Sequence, residues 1–449
     1  MRIQICCCLV LLLSVIVPAH GATVVVNSVA DNGPGDCTTT CTLRDAIASA
    51  ATGDSITFDP SVAYPATITL NGQELLIYKS LSIVGPGPSQ LTIDGNDQSR
   101  IVEIALNATV GISGITLFQG ATRGLDGAED TPSSTATNGS PAYGGAVLIN
   151  SGASLNLDQC VLDTNSAHGG IGGDAVYGAS TTAANGGDAS GGAIYNLGFL
   201  SCTRCALTGN SASGGSGGFV AIFLAGVGGI TGNGGNATGG AIAGSGQVEL
   251  LNSVLAANTA IGGNGGQFVS PRFPGTVGGN GGDASGGALA LSGFSVLQFV
   301  TSVENSVTAG LGALGDTNGS AGSATSTDLL AAATIVVRSS ILASSSGSCS
   351  LNDGNILTQG ANLSSDGSCP GFTLSGDPHL HSLTTGSNGY PIVFPAYGSQ
   401  VIDAAIDCDD AFGQVVSEDL QGTPRPQGPK CDIGSIEADY IFADGFDGP

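Results

Sequence analysis

Basic side chains that could act in catalysis are scarce in this sequence, which has 10 lysines and arginines. Polysaccharide cleavage by elimination requires a carboxylate cluster with an arginine or lysine base, and hydrolysis requires paired carboxylates. Asp158 and Asp163 are candidates, but the corresponding positions of the next repeat hold Thr203 and Thr208. No recurring carboxylate accompanies the arginines of the central region, which are Arg123, Arg204, Arg272 and Arg338. We therefore expect no catalytic residues and predict that the protein is not an enzyme.

Metal-ligating residues are equally scattered. His168 stands alone, His379 and His381 supply two ligands at most, and Cys202-x-x-Cys205 has no second pair to complete a zinc site. Residues 169–177 match the Ca²⁺-binding nonapeptide of RTX proteins, but that fold depends on tandem copies and the match occurs once. We predict no metal site and no cofactor, apart from Ca²⁺ bound weakly near Asp174.

The cysteines of the mature chain are expected to form disulfide bonds in an oxidising compartment. Arg2, an apolar run over 6–17 and small residues up to Ala22 are typical of a secretory signal peptide, so we predict removal of residues 1–22. Export makes disulfide bonds the default for the remaining cysteines. Pairs close in sequence are the first candidates: Cys37 with Cys41, Cys349 with Cys369, and Cys408 with Cys431. Cys160 and Cys205 align between repeats and form a further candidate pair, with Cys202 and Cys205 as the rival pairing.

The overall composition excludes several classes of partner and fold. Lysine and arginine number 10 against 35 aspartates and glutamates, and the formal net charge of −25 would repel nucleic acid and anionic membranes. No segment after the signal peptide approaches the roughly 18 apolar residues of a membrane-spanning helix. The chain has 74 glycines, one methionine and no tryptophan, so it lacks the composition of a helix bundle or an α/β enzyme. We expect a β protein with no nucleic acid partner and no transmembrane helix in the mature chain.

A repeated phrase predicts the architecture. NGGDASGGA occupies residues 185–193 and again 280–288, and NGGNATGGA occupies 233–241. Each copy leads into an apolar stretch, and a weaker copy begins at Gly144. The second glycines fall at 145, 192, 240 and 287, and apolar side chains alternate at period two, which indicates short strands in stacked units. We predict an all-β right-handed parallel β-helix, a β-solenoid whose coils stack along one axis.

Each apolar stretch ends in the motif Leu-x-x-Asn. The asparagines are Asn165, Asn210 and Asn258. Stacked asparagine side chains can hydrogen-bond along a ladder, so we predict that this series holds the fold and does not bind a ligand.

The glycine-rich inserts, such as 169–190 and 262–285, could be extra coils or loops. They contain few alternating apolar residues, so we predict loops projecting from one corner of the coil. Under that prediction Leu162, Leu207 and Leu255 are direct neighbours, separated by about 4.8 Å per step.

A short capping helix is predicted near the N-terminus. Thr42 and Asp45 form a capping-box pair, and Leu43 and Ile47 share an apolar face that would cover the open end of the solenoid. The predicted organisation is a signal peptide at 1–22, an N-terminal cap with the first coils at 23–119, and a glycine-rich β-helix at 120–345. C-terminal coils with a cap follow at 346–437, and a tail occupies 438–449.

Several segments resemble exported bacterial β-helix proteins. Residues 41–47, Cys-Thr-Leu-Arg-Asp-Ala-Ile, resemble the Cys-Ser-Leu-Arg-Glu-Ala-Ile motif of one such group. Residues 401–404, 419–426 and 431–437 are similar to the terminal region of choice-of-anchor proteins, and 441–447 resemble a tail found on some of them. The repeated Gly-Gly-Ala-Ile and Leu-x-x-Asn motifs are also similar to polymorphic outer-membrane protein repeats. These resemblances imply a β-helix located at or beyond the surface of a Gram-negative bacterium.

The resemblance and the composition together predict a secreted protein, extracellular or on the outer membrane surface. It would be adhesin-like or structural, with an unidentified glycan or protein ligand at the cell surface. The alternative is a polysaccharide lyase or hydrolase of the pectate-lyase-like fold, which a groove collecting several acidic side chains with an arginine would favour. A purely structural surface-layer component is the third interpretation.

Overall fold

The computed structural model describes residues 21–33, 35–177, 181–221, 228–268, 274–345, 347–386 and 388–438. Residues 1–20 of the predicted signal peptide, the predicted tail from residue 439 and Arg272 lie outside these ranges. Within the described ranges the chain winds as a right-handed parallel β-helix with a single short α-helix, which confirms the predicted fold class.

The helix spans Leu43–Ser49, and the predicted capping box begins it. The Thr42 hydroxyl accepts a hydrogen bond from the Asp45 backbone N–H at 3.2 Å, and the Asp45 carboxylate accepts one from the Thr42 backbone N–H at 3.1 Å. Leu43 and Ile47 are buried and the helix packs against the strands Thr23–Val26 and Leu75–Ile77, so it covers the first coil.

Three parallel sheets form the walls of the β-helix among the described residues. The first sheet contains Thr23–Val26, Ser55–Phe58, Leu81–Val84, Thr109–Ser113, Ser154–Asp158, Phe199–Thr203, Gln247–Leu251, Ser295–Gln298, Thr334–Arg338 and Asn355–Gln359. The second sheet contains Ala66–Thr69, Leu91–Asp94, Thr116–Phe118, Val161–Asp163, Ala206–Thr208, Val254–Ala256, Thr301–Val303, Ile341–Ala343, Leu363–Ser364 and Leu374–Ser375. The third sheet contains Leu75–Ile77, Val102–Ile104, Val147–Ile149, Ile194–Asn196, Ile242–Gly244, Leu289–Leu291, Leu329–Ala331 and Cys349–Leu351.

Each coil runs through the first sheet, the second sheet and the third sheet in turn. Leu162 pairs with Leu207, and Leu207 pairs with Leu255, in the register of the second sheet. These leucines point into the buried interior, where alternate apolar side chains from the three sheets form one continuous core. The prediction that successive Leu-x-x-Asn motifs are direct neighbours is therefore confirmed, and the inserts are excursions from the coil.

The structure places the asparagines of the Leu-x-x-Asn motifs in one buried ladder. The Asn165 side-chain amide donates to the Asn210 Oδ1 at 2.9 Å, and the Asn210 amide donates to the Asn258 Oδ1 at 2.9 Å. Asn305 extends the series, and its amide donates to the buried carboxylate of Asp328, which ends it. Each side chain also bonds backbone groups of the adjacent coils, so the ladder satisfies polar atoms at a corner that water does not reach.

The glycine-rich inserts leave the coil between the second and third sheets. Their outgoing strands form the fourth sheet: Ala121–Arg123, Ser166–His168, Ser211–Ser213, Thr259–Ile261 and Ser306–Thr308. Their returning strands form the fifth sheet: Ala142–Tyr143, Ala189–Ser190, Ala237–Thr238, Ala284–Ser285 and Ala324–Thr325. Buried alanines pack between the two sheets. We call this projection, made of the described residues of the inserts 121–143, 166–190, 211–238, 259–285 and 306–325, the blade.

The blade is ordered by backbone hydrogen bonds beyond its two short sheets, so the inserts are not structureless loops. The Gly187 N–H donates to the Gly170 carbonyl at 2.8 Å, and the Gly215 N–H donates to the Gly187 carbonyl at 2.8 Å, which joins outgoing and returning segments. A Cβ at Gly187 would lie 2.1 Å from the Ser140 carbonyl oxygen, so only glycine permits this approach. The high glycine content is thus a packing requirement of the blade.

The C-terminal segment from residue 376 packs on the side of the β-helix. It includes the antiparallel hairpin Thr384–Thr385 and Pro391–Ile392. Its apolar residues pack on outward-facing residues of the second sheet such as Val161, Ala206 and Val254. These outward positions are apolar because the C-terminal segment covers them, whereas a solvated sheet face carries polar residues.

Three predicted disulfide bonds are present: Cys37–Cys41, Cys349–Cys369 and Cys408–Cys431. The candidate pairing of Cys160 with Cys205 is wrong, because both are free buried thiols, as is Cys202. In-register residues of adjacent parallel strands point the same way about 4.8 Å apart, wider than the roughly 3.8 Å that a disulfide requires between Cβ atoms. The Cys160 thiol donates instead to the Ile112 carbonyl at 3.4 Å.

Candidate functional site

A groove runs along the angle between the outer face of the third sheet and the returning edge of the blade. Three recesses of the protein meet along it, and tyrosines stand where they meet. Tyr143 lines two of these recesses and Tyr195 lines the third. The two rings lie 4.6 Å apart between centroids with an interplanar angle of 33°. Tyr143 is 36% exposed, so part of its aromatic surface is open to the groove.

The recess at the N-terminal end of the groove, of about 520 Å³, contains the charged residues. We call it the niche and define it by Glu74, Ser99, Arg100, Thr122, Arg123 and Tyr143. It lies on the N-terminal side of the first insert of the blade. The coils before that insert carry no insert of their own, so this space is open.

The coil register brings the charged residues of the niche together. Glu74 and Arg100 each stand just before a strand of the third sheet, and those strands pair with Leu75 opposite Val102. The Arg100 guanidinium lies 2.6 Å from a Glu74 carboxylate oxygen and 3.6 Å from a Glu103 carboxylate oxygen. Arg100 also donates to the backbone carbonyls of residues 143 and 144, which fixes it to the returning strand of the blade.

The two carboxylates around Arg100 interact with each other. Burial raises the pKa of Glu74, Arg100 opposes that rise, and the contact with the Glu103 carboxyl adds to it. Glu103 is oriented by Asn150, whose amide donates to its Oε1 at 2.8 Å. The arrangement therefore places a carboxyl group with a raised pKa beside a second carboxyl group that is oriented by Asn150.

The niche also contains groups suited to an anion. Arg123 is exposed, and none of the ion pairs among the described residues includes it. The Ser99 and Thr122 hydroxyls are buried and have no hydrogen-bond partner in the described part of the chain. His168 pairs with Arg123 in the fourth sheet, and burial followed by the charge of Arg123 lowers the pKa of its imidazole.

The sequence analysis named Arg123 and His168 but missed Glu74, Arg100 and Glu103. A signal existed, since Glu74 and Arg100 both precede short apolar strands, but these coils precede the clear glycine repeats. The groove with acidic side chains and an arginine is the feature expected to favour the alternative, polysaccharide-active interpretation.

Two of the arginines named from the sequence have carboxylate neighbours, although these do not recur from coil to coil. Arg204 lies 3.2 Å from Asp158 on the preceding coil and 3.2 Å from Glu418 of the C-terminal segment. Arg338 forms an ion pair with Asp407 of the same segment. These partners come from segments distant in sequence, and both pairs attach the C-terminal segment to the β-helix and lie away from the groove.

The remaining candidates do not converge. Asp163 accepts from the Thr208 hydroxyl on the next coil, and His379 and His381 lie in the C-terminal segment. Asp174 accepts from the Phe219 backbone N–H at 2.8 Å, and burial raises its pKa. Among the described residues no group of three or more histidine, cysteine or acidic side chains could hold a metal ion. Ca²⁺ binding near Asp174 stays a prediction.

No helix in the described ranges is long and apolar enough to cross a membrane.

Comparison with known proteins gives a likeness of fold. No protein-family model matches the chain, and no curated protein matches it. Among solved structures it is similar to the pectate lyase Pel9A, at 12% identity and a TM-score of 0.34, over 93% of this chain and 97% of that one. It is also similar to the PL6 family alginate lyase AlyGC, at 11% identity and a TM-score of 0.21, over 82% of this chain and 55% of that one. At these values the likeness describes the parallel β-helix alone.

The prediction that the protein is not an enzyme is contradicted at its physical premise, which was that no carboxylates converge with an arginine. Glu74, Arg100 and Arg123 line one recess, and Glu103 lies 3.6 Å from Arg100.

Proposed function

We propose that the protein cleaves a uronate-bearing polysaccharide by β-elimination in the niche. The observation that carries this proposal is the contact of two half-buried carboxyl groups, Glu74 and Glu103, around Arg100, beside Arg123 in a recess open to the groove.

The charges of the niche support defined roles in an elimination. Arg123 pairs with the uronate carboxylate, which neutralises it and makes the C5 proton more acidic. Glu103, in its carboxylate form, accepts that proton, and the C5–H electron pair becomes the C4–C5 double bond. The bond from C4 to the glycosidic oxygen breaks, and Glu74, whose raised pKa favours its protonated form, donates a proton to the leaving oxygen.

The contact between the carboxyl groups also completes the cycle. A proton accepted by Glu103 can pass back to Glu74, which restores the starting state without another reactant. Because both groups approach from one side of the sugar, the proton and the leaving oxygen depart from the same face, so the elimination is syn.

The same contact argues against hydrolysis by this pair. Glycoside hydrolases hold their two carboxyl groups about 5 Å apart when they retain configuration and more than about 6.5 Å apart when they invert it. Glu74 and Glu103 lie 2.6 Å and 3.6 Å from the same Arg100 nitrogen, so the guanidinium stands between them where a sugar carbon or a water would have to be.

The tyrosines and the predicted export fit a polymeric substrate. Tyr143 and Tyr195 offer ring faces on which a sugar ring can stack beside the niche. A secreted location, predicted from residues 1–22, would bring the protein to extracellular glycans.

The proposal is tested by incubating the purified protein with a panel of uronate polysaccharides and following the ultraviolet absorbance of the unsaturated product. We expect Glu74→Gln to lower kcat by a factor of about 10² to 10⁴, because the general acid is lost. Arg123→Ala should lower the rate by about a hundredfold, because the carboxylate is no longer neutralised.

Glu129→Gln is the matched control, since Glu129 is exposed on the blade away from the niche and its substitution should leave the rate unchanged. Absence of unsaturated product from every polymer of the panel would overturn the proposal, as would an unchanged rate in Glu74→Gln.

A further inference from the structure

The returning edge of the blade carries two columns of exposed polar side chains. They line a recess of about 640 Å³ that extends over five coils. The first column contains Asn138, Asn185, Asn233, Asn280 and Ser320, and the second contains Asp188, Asn236, Asp283 and Ser323.

The repeated phrase Asn-Gly-Gly-Asp explains the two columns. An extended glycine helix has three residues per turn, so residues three apart point the same way, about 9 Å from each other along the strand. Asn185 and Asp188 therefore both face the recess, while Gly186 packs against the next outgoing segment at Gly215 and Gly187 packs against the preceding returning segment at Ser140.

These side chains are fixed although they are exposed. The Asn185 Oδ1 accepts from the Asn233 backbone N–H at 2.8 Å, and the Asn233 Oδ1 accepts from the Asn280 backbone N–H at 2.8 Å. Asp188 accepts from the Asn236 backbone N–H at 2.7 Å in the same way. One oxygen of each group is thus committed to the blade, and the amide NH₂ or the second carboxylate oxygen remains for a ligand. A polar array held in place before binding loses little conformational entropy when a ligand binds.

We propose that this edge is the binding track for the polysaccharide chain on one side of the bond that the niche cleaves, and that the chain alternates uronates with uncharged sugars. This inference rests on the proposed function. The track repeats at about 4.8 Å per coil, close to the advance of one sugar unit in an extended polysaccharide. Pro141 and Tyr143 belong both to this recess and to the niche, so one chain can occupy the two together.

The charges of the track select the substrate. No lysine or arginine lines the recess among the described residues, and its ionisable groups are Asp188 and Asp283. Consecutive uronates would meet these carboxylates, so a homopolymer of uronates is disfavoured. The two acidic positions are separated by Asn236 and recur every second coil. An alternating chain can therefore place an uncharged sugar beside each aspartate and a uronate beside Asn236.

The test measures binding by the otherwise intact Glu74→Gln protein, with hyaluronan and chondroitin oligosaccharides as alternating probes and oligogalacturonate of equal length as the homopolymer. We expect tighter binding of an alternating probe. The double variant Asn185→Asp with Asn233→Asp retains the oxygen that caps the next coil but loses two donors and gains two charges. It should weaken binding of the alternating probe by about tenfold or more. The double variant Asp188→Asn with Asp283→Asn should bind oligogalacturonate more tightly, which narrows the difference in affinity between the two probes.

Asn264→Asp is the matched control, because Asn264 caps the Leu311 backbone N–H at 2.9 Å on the outgoing edge of the blade, outside the recess. Equal or tighter binding of oligogalacturonate, or track variants that bind as the parent does, would overturn the track. Binding with these preferences but without cleavage by the wild-type protein would leave the track standing and overturn only the proposed elimination.

Discussion

Substitution of Asn210 by alanine should reveal how much the internal ladder stabilises the β-helix. The Asn210 side chain is fully buried. Its amide donates to the Leu162 carbonyl at 3.0 Å and to the Asn258 Oδ1 at 2.9 Å. Its Oδ1 accepts from the Asn165 backbone N–H at 3.0 Å and from the Asn165 amide at 2.9 Å.

The magnitude follows from what alanine leaves unpaired. The Asn165 backbone N–H loses its partner inside the protein, which costs about 1–3 kcal/mol, and each of the other three bonds is worth about 1 kcal/mol. The expected loss is therefore roughly 4–6 kcal/mol in the free energy of unfolding, before any cost of the cavity. Asn264→Ala is the control: it removes a single exposed backbone cap, whose N–H can bond water, and should cost below about 1 kcal/mol.

Urea unfolding followed by circular dichroism compares the two variants, and amide exchange at residue 165 locates the effect. Because a solenoid can unfold in parts, the comparison between variants is more informative than either absolute value. If Asn210→Ala lost no more stability than Asn264→Ala, the ladder would not support the fold.

Further predictions concern the niche, the C-terminal segment and the buried thiols. Since Glu74 acts protonated and its pKa is raised, cleavage should slow as the pH rises through that pKa, and Glu74→Gln should abolish this dependence in the pH–rate profile. Arg425→Met breaks a fully buried pair with Glu437 and should cost about 3–5 kcal/mol, detected as faster proteolysis of residues 376–438. Burial raises the pKa of Asp432 to about 6 from an ordinary value near 4, so the folded protein binds this proton more tightly. Stability should therefore fall as the pH rises from about 4 through 6, and urea midpoints that do not fall over this range would contradict it. Burial also raises the pKa of Cys205, so an alkylating reagent should label this thiol only after unfolding.

The fold could be predicted because its information is local and repeated. The Leu-x-x-Asn motif determines which residues point inward at each corner. The pairing of Leu162 with Leu207 follows once the inserts are treated as excursions from the coil. The capping box of Thr42 and Asp45 is similarly contained within four residues.

The niche could not be predicted because its residues belong to coils without a clear repeat. Glu74, Arg100 and Arg123 come together only when the register of the first coils is known, and the start of the blade closes the recess above them. The sequence also gives no register for the C-terminal segment, so the partners of Arg204 and Arg338 were missed.

The central claim is tested most directly by mass spectrometry of the cleavage products formed in heavy-oxygen water. Elimination in the niche predicts a fragment one water lighter than a hydrolysis product, with no heavy oxygen incorporated by the cleavage, and loss of this fragment in Glu74→Gln. Products that carry heavy oxygen at the cleaved bond would contradict the account, as would unsaturated products formed equally by Glu74→Gln.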